Sequence, residues 1–205
     1  MINAVLFDVD GVLIDSFEAN LKLYQDLMVK AGYRPPTREE FPDIFHLTMW
    51  DGIEKLTQLT GKEEIRKIWT MAYDEIRYPL ELLKTPMRLE ETIQILYEHY
   101  RLGIVTNRTR VYEVPHLAKL QSYFKIAVAY QDTVNHKPHP EPLLLAAKRL
   151  DVLPEESVYV GDVENDVQAG RAAGMKVVIY SKEHLASADA CVTSFSQLPE
   201  CIAAL

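Results

Sequence analysis

The chain has 205 residues, 48% of them hydrophobic and 25% charged, enough for one good core or for a core with a smaller domain. A formal net charge of −8 argues against a nucleic-acid binder with a basic surface, while leaving room for an anionic small substrate that responds to local charge. Cys191 and Cys201 form neither a disulfide framework nor a zinc pattern, no apolar run approaches the ~18 residues of a membrane span, and the first strand starts at Ile2 with no signal sequence before it, so a cytoplasmic protein with reduced thiols is expected.

The opening stretch, Val5 to Ser16, is an apolar run that ends in Asp8 and Asp10 and then Gly11. Residues two apart on a strand project to the same side, so the two carboxylates begin on one face. Such an apolar strand reads as buried on both faces of a parallel sheet, with its acids in the crevice at the carboxyl end. Like charges this close need a cation, and a divalent metal is the natural one. An EF-hand fails on spacing, because Val12 stands at the fifth position and glycine arrives at the fourth. A solvated Asp-Gly turn remains open on this stretch alone.

An amphipathic helix is expected over Phe17–Gly32, with Phe17, Leu21, Tyr24 and Met28 on one face. A Pro35-Pro36 break follows, then a mostly helical region to about Arg77, a boundary at Tyr78-Pro79 and Thr85-Pro86, and a helix over Leu89–Tyr100. Strands are expected at Leu102–Thr106, Ile126–Tyr130, Ser157–Val160 and Val177–Tyr180, with a short one near Cys191. Helices are expected at Leu117–Phe124, Pro142–Leu150, about Glu164–Ala173 and Leu198–Leu205. Pro115 breaks any longer helix from Arg110. Strands alternating with helices predict an α/β fold with a parallel sheet and right-handed crossovers.

About ninety residues separate the first two strands, far more than a parallel crossover needs. The surplus reads as an inserted helical subdomain that enters and leaves near Asp8 and Asp10, where it can act as a lid.

The other strand ends carry complementary groups. Thr106-Asn107-Arg108 offers a hydroxyl and turn amides suited to phosphate, although a plain turn with a surface arginine explains it equally. Lys137 leaves a loop stiffened by Pro138 and Pro140, where an ammonium could hold a carboxylate against a phosphate. His136 and His139 read as loop histidines, since no ligand cluster accompanies them. Gly161-Asp162 ends the fourth strand, and Asp166 lies in the first turn of the next helix, where an acid also suits the helix dipole. Gly170 and Gly174 have the wrong spacing for a dinucleotide fingerprint, and there is no P-loop.

These four sites, Phe7-Asp8-Val9-Asp10-Gly11, Val105-Thr106-Asn107, Lys137-Pro138 and Gly161-Asp162 with Asp166, resemble the motifs of the haloacid dehalogenase superfamily of phosphotransferases. The run Lys137 to Pro142 and the position of the insertion are similar to the phosphoglycolate phosphatase and β-phosphoglucomutase group. The resemblance implies a Rossmann-like parallel core over residues 1–16 and 85–205 and a helical cap over 17–84. It implies Asp8 as nucleophile, Asp10 as acid–base partner, and Thr106, Asn107 and Lys137 around the transferring phosphate. A Mg²⁺ ion would be held by the Asp8 carboxylate, the Asp10 carbonyl and Asp162, with Asp166 behind them. The expected function is hydrolysis of a small-molecule phosphate monoester, phosphoglycolate among the candidates, with no nucleic-acid or membrane partner.

A sugar phosphomutase keeps the same motifs, and a phosphate-responsive binding protein without turnover is the alternative of another class. Phe17, Glu18, His46, Trp50 and Arg77 are weak candidates for facing the substrate, and Pro86-Met87, before Arg88, stands where many relatives carry Pro-Gly. Arg108 could serve a second anionic group.

Overall fold

Short runs rich in valine, isoleucine and leucine become strands, each ending where a polar or glycine residue stops the apolar pattern. The computed structural model describes residues 1–109, 111–182 and 185–205. Its strands are β1 (Ala4–Phe7), β2 (Arg101–Val105), β3 (Phe124–Val128), β4 (Ser157–Gly161), β5 (Lys176–Tyr180) and β6 (Ala190–Val192). They form one parallel sheet in the order β3-β2-β1-β4-β5-β6, that of a doubly wound Rossmann-like fold. The order reverses about β1. Its carboxyl end therefore faces the crevice that such sheets use for ligands.

The chain divides into two compact units, residues 1–15 with 85–205, and residues 16–84. In the first unit, helices α7 (Glu141–Leu150) and α8 (Glu164–Ala172) supply Leu143, Ala146, Ala147 and Ala169 to a cluster with Leu6, Val105, Val128 and Tyr159 of the sheet. Aromatic packing adds Phe124 and Phe195 around Phe7, at ring distances of 6.1 and 6.2 Å. Helix α5 (Leu89–Tyr97) packs on β2 and on the closing helix α9 (Leu198–Ala203).

Helices α5 and α9 stop two or three residues short of the expected ends at Tyr100 and Leu205, and one stretch departs further. The helix expected to begin at Leu117 starts at Pro115 and ends at Leu120 as α6, because proline at the first helical position lacks only an N–H that has no helical partner. Gln121–Tyr123 tighten into a 3₁₀ turn, and β3 begins at Phe124 rather than Ile126. A shift of two residues keeps the same side chains on each face, so alternation alone could not place that start. Pairing of Phe124 with Leu102 and its contact with Phe7 decide it. Arg110 lies outside the described residues.

The second unit contains α1 (Phe17–Lys30), α2 (Pro42–Phe45), α3 (Met49–Thr57) and α4 (Lys62–Asp74). Leu27, Met28, Ile53, Ile65, Ile68 and Ala72 form its own core. Phe17, Tyr24, Phe41 and Phe45 form a second, aromatic cluster. Thr48 caps α3 by accepting the Asp51 N–H at 3.1 Å. Late in the unit, the Tyr78 hydroxyl donates to Asn20 Oδ1 of α1 at 2.8 Å. No helix among the described residues is long and apolar enough to cross a membrane.

Candidate active site

β1 carries Asp8 to the sheet end while its backbone is still in the ladder: the Asp8 N–H donates to the Val160 carbonyl at 2.9 Å. The chain then closes on itself, with the Val9 carbonyl accepting from the amides of Val12, Leu13 and Ile14 and the Gly11 N–H donating to Ile14. This turn holds Asp10 beside Asp8. Gly11 has φ +84°, and a Cβ there would overlap the Asp162 carboxylate. Glycine thus serves both the turn and the close approach of an acid from β4. Gly11→Ala is expected to lower the unfolding free energy by at least about 1 kcal/mol; an unchanged urea midpoint would mean that Asp162 steps aside at no cost.

Lys137, in the loop before α7, precedes a cis peptide bond to Pro138. Its ammonium is buried between Asp8 Oδ2 at 3.0 Å and Asp166 Oδ1 at 2.8 Å, and donates to the Tyr159 hydroxyl at 2.7 Å. Asp166 is only 1% exposed and fully engaged. Oδ1 takes Lys137 and lies 3.1 Å from the Tyr159 hydroxyl, and Oδ2 accepts the amides of Asp162 at 3.1 Å and Val163 at 3.4 Å. Thr106 is buried at the end of β2, its Oγ1 accepting the Arg108 N–H at 3.2 Å. The Asn107 side chain reaches the Lys137 carbonyl at 3.4 Å. The structure thus brings Asp8, Asp10, Thr106, Asn107, Lys137, Asp162 and Asp166 to one end of the sheet.

The sequence reading missed two contacts. Tyr159 lies inside β4, in register with Leu6, and its hydroxyl joins Lys137 and Asp166. Arg108 turns inward rather than to solvent, its Nε 3.4 Å from Asp10 Oδ2 with both side chains mostly buried. By contrast, His136 stacks on Tyr130 with ring centres 3.9 Å apart, and His139 Nδ1 accepts the Glu141 N–H. Neither histidine joins a possible metal-ligand cluster among the described residues. Within the helical unit, Glu18 pairs with Arg38, His46 packs on Phe45, Trp50 joins the unit's core, and Arg77 is exposed.

One ammonium cannot neutralise three carboxylates, and the electrostatics show the excess. Burial alone would push Lys137 down, but Asp166 and Asp8 more than offset it, so the ammonium is held more firmly than usual. Asp166 stays below the ordinary carboxylate range despite its burial, because Lys137 and its hydrogen bonds favour the ion. The surplus falls on the other two. Burial raises Asp8 to about 7, with Lys137 opposing and Asp166 and Asp10 adding to the rise. Burial and the neighbouring acids raise Asp162 well above its usual value.

A divalent cation fits this residue set. Carboxylate oxygens of Asp8, Asp162 and Asp166 lie within 4.8 Å of one another, and Asp162 Oδ1 is buried with no hydrogen-bond partner. Since Asp166 is occupied by Lys137, Tyr159 and two amides, Asp8 and Asp162 are the carboxylates placed to hold an ion. Hard oxygen donors with few protein ligands suit Mg²⁺, which retains several waters. A cavity of about 240 Å³ opens at Gly11 and Asp162, lined also by Tyr180, Ser181, Lys182 and Thr193.

The sequence profile of the haloacid dehalogenase-like hydrolases matches residues 5–180. The chain belongs to this family. Among its haloacid dehalogenase-like relatives, the pyrophosphatase PpaX of Bacillus cereus is 32% identical over 183 residues, covering 88% of this chain and 83% of the relative. A haloacid dehalogenase-superfamily hydrolase of subfamily IA from Geobacter sulfurreducens superposes with a TM-score of 0.77 at 29% identity, covering 98% of this chain and all of the other. CbbY from Rhodobacter sphaeroides in complex with phosphate shares the haloacid dehalogenase-like fold with a TM-score of 0.82 at 24% identity, covering 97% of this chain and 96% of that one.

Proposed function

We propose that this chain is a Mg²⁺-dependent phosphatase that hydrolyses small phosphate compounds through an aspartyl-phosphate on Asp8. The observation that carries the reading is the Asp8 carboxylate, held 3.0 Å from a buried ammonium and grouped with two further acids at the end of a central strand. When bound at Asp8 and Asp162, Mg²⁺ would offset the charge of the phosphate and of the acids around it.

The rest falls to the chain's own side chains. An Asp8 oxygen attacks phosphorus as the bond to the leaving oxygen breaks, and Asp10 gives that oxygen its proton. Asp10 then takes a proton from the water that attacks phosphorus, the P–O bond to Asp8 breaks, and inorganic phosphate is freed. Lys137, the Thr106 hydroxyl and the Asn107 amide stabilise the charge on the phosphoryl oxygens. Asp166 and Tyr159 orient Lys137 from behind.

Residues 16–84 are proposed as a cap that screens substrates and excludes water; their place between β1 and β2 and their separate core support this. The pyrophosphatase relatives favour a small, highly anionic substrate.

The test is a panel of phosphate compounds with EDTA and then with added Mg²⁺. Chelation is expected to stop phosphate release and Mg²⁺ to restore it. Phosphate should appear one for one with substrate consumed. Isomerisation of a sugar phosphate without release would point to a mutase, and measurable binding without turnover across the panel would point to a non-catalytic protein.

A further inference from the structure

We propose that Arg108 selects substrates whose leaving group carries its own negative charge within two or three bonds of the scissile oxygen. This rests on the phosphatase reading above and concerns which phosphates that site accepts.

The placement of Arg108 is the starting point. Its N–H donates to Thr106 Oγ1 and its carbonyl accepts the Tyr130 N–H at 3.1 Å, so its backbone is fastened to the ends of two strand connections. Its side chain is 14% exposed and turns toward Asp10. A buried guanidinium presents a rigid planar fork suited to carboxylate and phosphate. Here the Nε–Oδ2 separation is 3.4 Å, long for a charge-assisted hydrogen bond of about 2.7–2.9 Å. The contact places the guanidinium directly beside the Asp10 carboxylate.

Asp10 must come within about 3 Å of the leaving oxygen to protonate it. A group paired with Asp10 therefore lies a few bond lengths from whatever that oxygen is attached to. An uncharged alcohol offers the guanidinium nothing there. A second phosphoryl group joined through the leaving oxygen, or a carboxylate one carbon beyond it, places an anion within reach. Such an anion meets the Arg108 guanidinium while the neighbouring Asp10 serves the leaving oxygen.

With an anhydride, the P–O bond breaks and the electron pair departs on a phosphate whose charge the guanidinium offsets. With a carboxylate-bearing ester, the departing alkoxide takes the Asp10 proton while Arg108 holds the carboxylate. A sugar bisphosphate carries its second charge several bonds away, beyond this reach.

Four substrates with Mg²⁺ test this: inorganic pyrophosphate, 2-phosphoglycolate, p-nitrophenyl phosphate and 2-hydroxyethyl phosphate. The last matches phosphoglycolate with the carboxylate replaced by an uncharged alcohol. In Arg108→Ala, kcat/KM is expected to fall roughly a hundredfold for one or both charged-leaving-group substrates, and at least about tenfold less for the two uncharged ones. The charged substrate that suffers more tells an anhydride from a carboxylate. Arg108→Lys, which keeps the charge but not the fork, should recover part of the loss, with melting curves confirming that both variants fold.

Equal losses on all four substrates, with an active wild type, would show that Arg108 merely positions Asp10, and would overturn the inference while sparing the phosphatase reading. A wild type inactive on all four in Mg²⁺ would remove both.

Discussion

Asp8→Asn is expected to reduce phosphate release by at least about a thousandfold while leaving the fold intact. The amide keeps the size of the carboxylate and sits at the end of a strand whose ladder bonds are made by backbone atoms. What it loses is the oxygen proposed to attack phosphorus. Circular dichroism and a urea melt beside the activity assay make the result readable. A folded Asp8→Asn protein with wild-type turnover would remove the covalent mechanism.

The same variant has a stability signature in metal-free protein. Asp8 is raised to about 7, above its unfolded value, so the folded state holds a proton that the unfolded state has already released. Its contribution to stability is present at acidic pH and is lost as pH rises through about 7. Asparagine does not titrate. In EDTA, the wild type should therefore lose more stability than Asp8→Asn between pH 5 and 8, and urea midpoints across that range check the sign.

The second large effect belongs to Lys137→Met, in which a side chain of similar length leaves Asp8, Asp162 and Asp166 without their shared ammonium. Removing one partner of a buried ion pair costs about 3–5 kcal/mol, and a loss of this size is expected in metal-free protein at pH 7.5. Lowering the pH should recover part of it, because the acids can then take protons in place of the missing cation. Phosphate release should also collapse, since the ammonium would no longer face the transferring group. A Lys137→Met protein as stable as the wild type in EDTA would show that Lys137 does not neutralise the cluster.

Much of this architecture was legible because its signals are local. Asp8 and Asp10 announce themselves through a two-residue period at the end of an apolar run, and Lys137 through the prolines that stiffen its loop. The parallel sheet follows from the alternation of strands and helices, and the helical insertion from the length of one crossover. Tyr159 was illegible for the opposite reason. Its meaning depends on pairing with Leu6, more than 150 residues away, which aims its ring at Lys137. The Asp10–Arg108 contact spans 98 positions, and nothing around Arg108 distinguishes an inward side chain from a surface one. Phe124 was missed as the start of β3 because two registers two residues apart satisfy the same alternation, and its pairing with Leu102 and contact with Phe7 separate them.

The interruption of the core by residues 16–84 sets an order on the ribosome. β1 emerges long before its ladder partners, residues 101–104 and 157–160. The helical unit, with its own core, is fully synthesised before the first strand has any partner, so that strand waits with four apolar residues that end up wholly buried. Between the emergence of the helical unit and that of β2, the nascent chain therefore carries a unit with its own core beside an unpaired apolar strand, a state exposed to aggregation and to chaperones.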